Sequence, residues 1–332
     1  MSRRPQALRP GDTIGIIAPS NSASFVDPKV WEVGVKRLRG KGFELKFGKH
    51  ITENRGHTAG TVQQRLEDLM GMFEDPEVNG IMTVFGGYNS HQLLHYVDYE
   101  VVADNPKVFI GFSDITALNS AFLVRSGLVN FSGPAFITFC QPDLPHYTED
   151  LFDRMVMEGK RSVIEPSLKW AEDDWWKEPV NFGERDWQTN PGWKVFRGGT
   201  ATGPAVGGNL STLMLLAGTP YWPEIEGRIL FLDEDGTETP QTVDRYLTQL
   251  RHMGVYESIS GLVLGRLPSQ VGFREGDSLE MILDEALLGY DFPVVSGVDF
   301  AHTDPLITIP LGIKVLLDAD NKRIELMERA VV

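Results

Sequence analysis

A serine, a knot of carboxylates and a histidine, each just beyond an apolar run, are the residues of this chain with the clearest chemical potential. Ser113 lies in KVFIGFSDITALNSAF, where the apolar run meets Gly111-Phe112-Ser113-Asp114 and a helical pattern begins at once. A serine on such a strand-to-helix turn is held at the top of a sheet, and the next backbone N–H and the helix dipole face any negative charge forming beside it. Taken alone, the segment reads more simply as a helix cap, a position that serine and aspartate favour, and the full Gly-x-Ser-x-Gly elbow is absent. Asp233, Glu234 and Asp235 close the run RILFL, where acids are commonly turn residues or helix-start charges. His302 follows VVSGVDF and precedes Thr-Asp-Pro, and a lone loop histidine is usually structural. Together, in chain order, serine, carboxylate and histidine make the set that nucleophilic acyl transfer needs: an attacking hydroxyl, a base, and an acid that orients the base. Gly86 and Gly87 end a further run, IMTVF, where the missing side chains let backbone N–H groups approach a ligand. That turn matches neither a dinucleotide fingerprint nor a phosphate-binding P-loop.

Several elements must position these residues. The first half alternates short β-like runs with amphipathic helical patterns, the signature of a parallel sheet built from βαβ units. Strands are predicted at 13–18, 43–47, 81–85 and 108–110, with a helix near 28–39. Val62, Leu66, Leu69, Met70 and Phe73 form a second helical stripe that should cover the sheet. Ligands of open parallel sheets sit beyond the carboxyl ends of the strands, so the small, polar turns there mark the expected site. From about Glu165 to Arg197 the pattern breaks down into a segment holding five of the seven tryptophans and many acids. It reads as a connecting or lid segment, too wet for a compact core. Beyond it lie the glycine-rich stretch 198–208, strands at 229–232, 262–264 and 294–298, helices at 241–252 and 278–288, and a hairpin turning at Ala319-Asp320-Asn321-Lys322. The expected organisation is an α/β domain over 1–164, the tryptophan-rich segment over 165–197, and a β-rich α+β or barrel-like domain over 198–332.

Composition narrows the partners. A formal charge of −15 on 332 residues would repel polyanions, so neither nucleic acid nor an anionic membrane surface is expected as a partner. The single cysteine, Cys140, can form no intrachain disulfide, and no Cys/His spacing near it suggests a metal. Ile14 to Ala18, the first apolar stretch, is too short for a signal-peptide core or a membrane span, which makes the cytoplasm the expected location.

LRPGDTIGIIAPS, GGYNS, GFSDIT, GGNLSTL, ILFLDED with VDRYLTQL, and AHTDPLITIPLGIKV follow one another over nearly the whole chain. In that order they resemble the serine peptidases of the LD-carboxypeptidase family. The resemblance implies an N-terminal flavodoxin-like or Rossmann-like domain carrying Ser113, a C-terminal β-rich domain carrying the other two triad members, and a triad assembled where the two meet. It makes Ser113 the nucleophile, His302 the general base and later acid, and the N–H groups of Asp114 and Gly87 the oxyanion hole. For the acid that holds the imidazole, anchoring on the strand selects Asp233, whereas anchoring on the downstream Pro240 and Val-Asp-Arg selects Glu234, the reading adopted. Gly86, Asn89 and Asn209 are expected beside the substrate, and no metal or organic cofactor is implied.

Two branches of that family differ in substrate: one trims murein tetrapeptides, the other, the microcin C immunity type, cleaves aminoacyl or peptidyl groups from nucleotide-like toxins. The tryptophan-rich insertion and GGYNSHQLL resemble the second, with His91 in place of that branch's last asparagine. The resemblance therefore implies a homodimeric serine hydrolase that acts on a small peptide or aminoacyl-nucleotide in a protective role. Trp175 and Trp176, with Trp187 behind them, are the expected stacking platform for a base. A murein LD-carboxypeptidase is the nearest rival. A non-catalytic nucleotide-binding α/β protein, with Ser113 only a helix cap, is the rival from another class.

Overall fold

The structure, a computed structural model, describes residues 2–175, 185–300 and 302–332. Strands β1 (Thr13–Ile17), β2 (Glu44–Phe47), β3 (Val78–Thr83), β4 (Val108–Gly111) and β5 (Asn130–Ser132) form a parallel sheet in the order 2-1-3-4-5. This is the flavodoxin-like order, whose switch point lies between β1 and β3. β3 and β4 are almost wholly buried, as expected of strands covered on both faces. Helix Val62–Glu74 opens on a capping box between Thr61 and Gln64 and buries Leu69, Met72 and Phe73, while Val62, Leu66 and Met70 pack half-buried at its margin. Met72 thus joins the stripe predicted from sequence.

The second sheet has eight strands and curls into a half-barrel. Its centre is parallel: Thr200–Asn209, Ile229–Asp233, Gly261–Gly265 and Val294–Val298. The first of these runs through the glycine-rich stretch that sequence patterning left unassigned. Glycine is required there by close approach: a Cβ on Gly207 would lie 2.0 Å from Phe231 O, and one on Gly208 would lie 2.3 Å from Thr116 Oγ1. The hairpin pairs Lys314–Asp318 with Arg323–Leu326, as predicted.

The tryptophan-rich segment departs from expectation. Trp175 and Trp193 are 5 % and 1 % exposed and belong to the main core, and Trp193 Nε1 donates to buried Asp299. Lys169–Trp170 pairs with Gln188–Thr189, folding the segment back on itself. Two of its acids accept hydrogen bonds, Asp173 from Arg185 Nε and Glu172 from Ser269 N. No described helix is long and apolar enough to cross a membrane.

Candidate active site

β4 delivers the serine. Gly111 ends the strand where a Cβ would lie 2.4 Å from Thr83 Oγ1, and the chain then turns through Ser113 at φ 63°. A non-glycine residue in the left-handed region costs about 1–3 kcal/mol and persists only where its surroundings enforce it. Here the surroundings are a clamp. The buried Asp114 carboxylate accepts from Asn89 N at 2.9 Å and Ser90 N at 2.7 Å, while Ser90 Oγ donates to Asp114 O at 2.6 Å. The elbow and the Gly86–Ser90 turn are therefore one unit. Gly86 faces the elbow so closely that a Cβ there would lie 2.7 Å from Ser113 Cβ, 2.9 Å from Ser113 Oγ and 3.1 Å from Asp114 N. Gly87, at φ 146°, has Ser20 Oγ 2.4 Å from where its Cβ would sit.

The second sheet delivers the other two groups. His302 Nδ1 meets Asp233 Oδ2 at 2.5 Å, and its ring packs edge-on against Phe112, the residue before the serine, with centroids 5.3 Å apart. Burial alone would lower the imidazole's affinity for a proton, but the Asp233 charge and hydrogen bond more than offset it, so the histidine titrates above its ordinary value. Burial raises the Asp233 carboxyl in turn, against the opposing pull of the imidazole. A hydrogen bond from Nδ1 to Asp233 fixes the tautomer that leaves Nε2 free to accept a proton. Among the described residues no hydrogen bond yet joins Ser113 Oγ to His302; such contacts commonly close only around substrate.

This geometry corrects the assignment of Glu234. Its carboxylate accepts from Asn209 Nδ2 at 2.6 Å, Ser211 N at 2.8 Å and Asp235 N at 3.1 Å, whereas the imidazole bonds to Asp233. Burial, then the neighbouring Asp233 charge, pushes its carboxyl up to about 7.

Other expected substrate residues divide. Gly86, Gly87 and Trp175 line the cavity that holds Ser113 and His302. Asn89 and Asn209 do not: Asn89 Nδ2 donates to His57 O, and Asn209 Oδ1 caps the helix Leu210–Met214 by accepting from Thr212 N. Each asparagine braces a loop instead of forming a cavity wall. Trp187 is half-buried beneath the Arg185 guanidinium, 5.2 Å from its ring centroid, and is likewise outside the cavity lining. Trp176 lies outside the described residues. Sequence spacing offers Asp114 as a helix cap and its N–H as an oxyanion donor; that its side chain clamps the Asn89–Ser90 turn shows only in the structure.

The cavity measures about 720 Å³ and opens beyond β1, β3 and β4, at the switch point of the first sheet. Two models of known families match in register with the two sheets: the LD-carboxypeptidase N-terminal domain over residues 14–133 and the LD-carboxypeptidase C-terminal domain over 202–317. The chain belongs to the LD-carboxypeptidase family. As a member it is a serine carboxypeptidase-type hydrolase. The microcin C7 self-immunity protein of Escherichia coli is 32% identical over 97% of this chain and 95% of its own. A probable murein peptide carboxypeptidase of Bacillus subtilis is 30% identical over 97% and 93%. Among solved structures, an immunity-like family member from Bacillus anthracis superposes with a TM-score of 0.92 at 35% identity, covering 99% of this chain and 100% of that one. The microcin C7 self-immunity protein in complex with aspartyl sulfamoyl adenosine does so with a TM-score of 0.90 at 31% identity, covering 99% of this chain and 100% of that one.

Proposed function

We propose that this protein hydrolyses an amide-type bond joining an aminoacyl or peptidyl group to a nucleotide-like leaving group, and so detoxifies compounds of that kind. The observation that carries the chemistry is that Ser113, on its enforced elbow, lines one cavity with a histidine whose Nδ1 is held by Asp233. In this reading Ser113 Oγ attacks the carbonyl carbon as its proton passes to His302 Nε2. The N–H groups of Asp114 and Gly87 stabilise the oxyanion. Collapse of the tetrahedral species breaks the C–N bond as His302 returns the proton to the departing nitrogen. Water, deprotonated by the same imidazole, then attacks the acyl-serine ester, releasing the acid and restoring the serine.

The nucleotide-like leaving group is supported by the cavity's volume, by aromatic walls at Phe25, Phe85, Tyr88 and Trp175, and by the bound aspartyl sulfamoyl adenosine in the similar immunity protein. Trp175, 5 % exposed, is a buried wall whose edge can meet a base. The murein reading is favoured by the Bacillus subtilis relative and uses the same triad. Purified protein offered aspartyl sulfamoyl adenosine and a murein tetrapeptide should hydrolyse the first with the higher kcat/KM; the opposite preference would transfer the assignment to murein. Ser113→Ala should lower kcat on either by about four orders of magnitude with folding intact, and retention of more than about a tenth of the activity would exclude Ser113 as the nucleophile.

A further inference from the structure

The loop that presents His302 carries a second, unassigned cluster. Asp304, two residues beyond the histidine, is held on both oxygens: Gln141 Nε2 donates to Oδ1 at 3.0 Å and an Arg185 Nη donates to Oδ2 at 2.9 Å. Arg185 has a side chain 1% exposed. Its Nε donates to Asp173 at 2.7 Å, and its other Nη to Gln141 Oε1 at 2.5 Å. The guanidinium lies between two indoles, 6.0 Å from the Trp175 centroid and 5.2 Å from that of Trp187. The backbone repeats the same connection, because Ala171 and Asp304 exchange N–H to O bonds of 2.8 Å in both directions. Gln141, Trp175, Asp304 and His302 all line the cavity.

A surface ion pair would have little effect, but this cation is buried between two carboxylates, and removing it would strand both. Lysine cannot substitute, since an ammonium lacks the planar fork that reaches three partners at once while stacking on indole. We propose that Arg185 is a positioning residue for the hydrolytic reaction: through Asp304 it sets the loop that presents His302, and through Asp173 and Trp175 it docks the cavity wall onto that same loop. The wall that meets the leaving group and the base that protonates it are thereby placed by one side chain. This rests on the reading of Ser113 and His302 as a hydrolytic pair.

Arg185→Ala strands two carboxylates and puts folding at risk, so Arg185→Lys and Asp173→Asn are the working variants, each compared with the parent for folded fraction, kcat, KM and the acid limb of the pH profile. Misplacing a catalytic group by about 1 Å can cost about 100-fold, so Arg185→Lys should lower kcat per folded molecule by about 10- to 100-fold. KM for a small acyl substrate should stay within about threefold. The acid limb should move to lower pH, because an imidazole drawn away from Asp233, with Asp235 and Glu234 beyond it, loses the charges that raise its proton affinity. A purely structural arginine would lower the melting temperature and nothing else. The proposal is overturned if both variants keep kcat per folded molecule and the acid limb within about twofold of the parent. Ser113→Ala in the same assay separates the two failures. If it stays active, the serine reading falls and takes this proposal with it. If it is inactive while Arg185→Lys is unimpaired, only the positioning role falls.

Discussion

At the scale of single residues, the serine and histidine proposed for the reaction each stand out at the end of an apolar run, whereas the proposed third member is one of three adjacent acids. What separates those acids is the two-residue period of a strand. Ile229, Phe231 and Asp233 share one face of their strand, and Phe231 packs on Phe300 at 5.8 Å, the approach to the His302 loop. Glu234, one residue on, swings to the side of Asn209 and Ser211. Anchoring on the downstream helix takes no account of this alternation, whereas the structure pairs the imidazole with Asp233. Asp233→Asn should therefore lower kcat by about four orders of magnitude, and Glu234→Gln by far less. In the parent enzyme the acid limb should lie above the ordinary histidine value of 6.5, because the base must be neutral to accept a proton and Asp233 favours its charged form. Asp233→Asn removes that charge and leaves burial to act alone, so the limb of its residual activity should shift to lower pH. A limb that stays in place would mean the titrating group is not this histidine.

At the scale of elements, the five parallel strands of the first sheet matter for where their ends fall. Four of them are readable from β-like runs; β5, only Asn130–Ser132, is too short to show a pattern, and the strand through Gly203, Gly207 and Gly208 carries no strand pattern because its glycines answer to neighbours distant in sequence. The turn after β3 and the elbow after β4 were each visible as a small-residue turn, but the hydrogen bonds that join them run from backbone N–H groups to one carboxylate, which spacing alone does not reveal. Gly86 is the test of that junction. A methyl group placed 2.7 Å from Ser113 Cβ and 3.1 Å from Asp114 N must push the elbow away from the turn. Gly86→Ala should cut kcat by about 100-fold or more, through misplaced nucleophile and oxyanion donors, with a smaller change in KM. Should the variant instead raise KM alone, Gly86 would contact only the bound substrate and not shape the hydrolytic geometry.

At the scale of the whole molecule, the two halves expected from sequence patterning share a strand and a core. Strand Ile309–Leu311, which follows the His302 loop, crosses back to pair antiparallel with β5, so the chain that carries the base completes the sheet that carries the nucleophile. The termini also pair, with Ala7 N donating to Val332 O at 2.9 Å and Val332 N to Pro5 O at 3.0 Å. Neither apolar cluster respects a boundary near 164–198. One joins Ile16 and Ile110 with Phe231 and Val315, and the other joins Ile17 and Phe122 with Leu210 and Leu247. Opening either half would expose apolar surface on the other, a penalty that couples their stabilities. Differential scanning calorimetry should accordingly show one transition with matching calorimetric and van't Hoff enthalpies. A non-hydrolysable aminoacyl-nucleotide analogue at about 100 times its Kd adds about 2.7 kcal/mol of stability, which should move that entire transition upward. Two resolved transitions, of which the analogue moved only one, would show that the strand exchange does not fuse the halves and that the site is shared between units able to unfold apart.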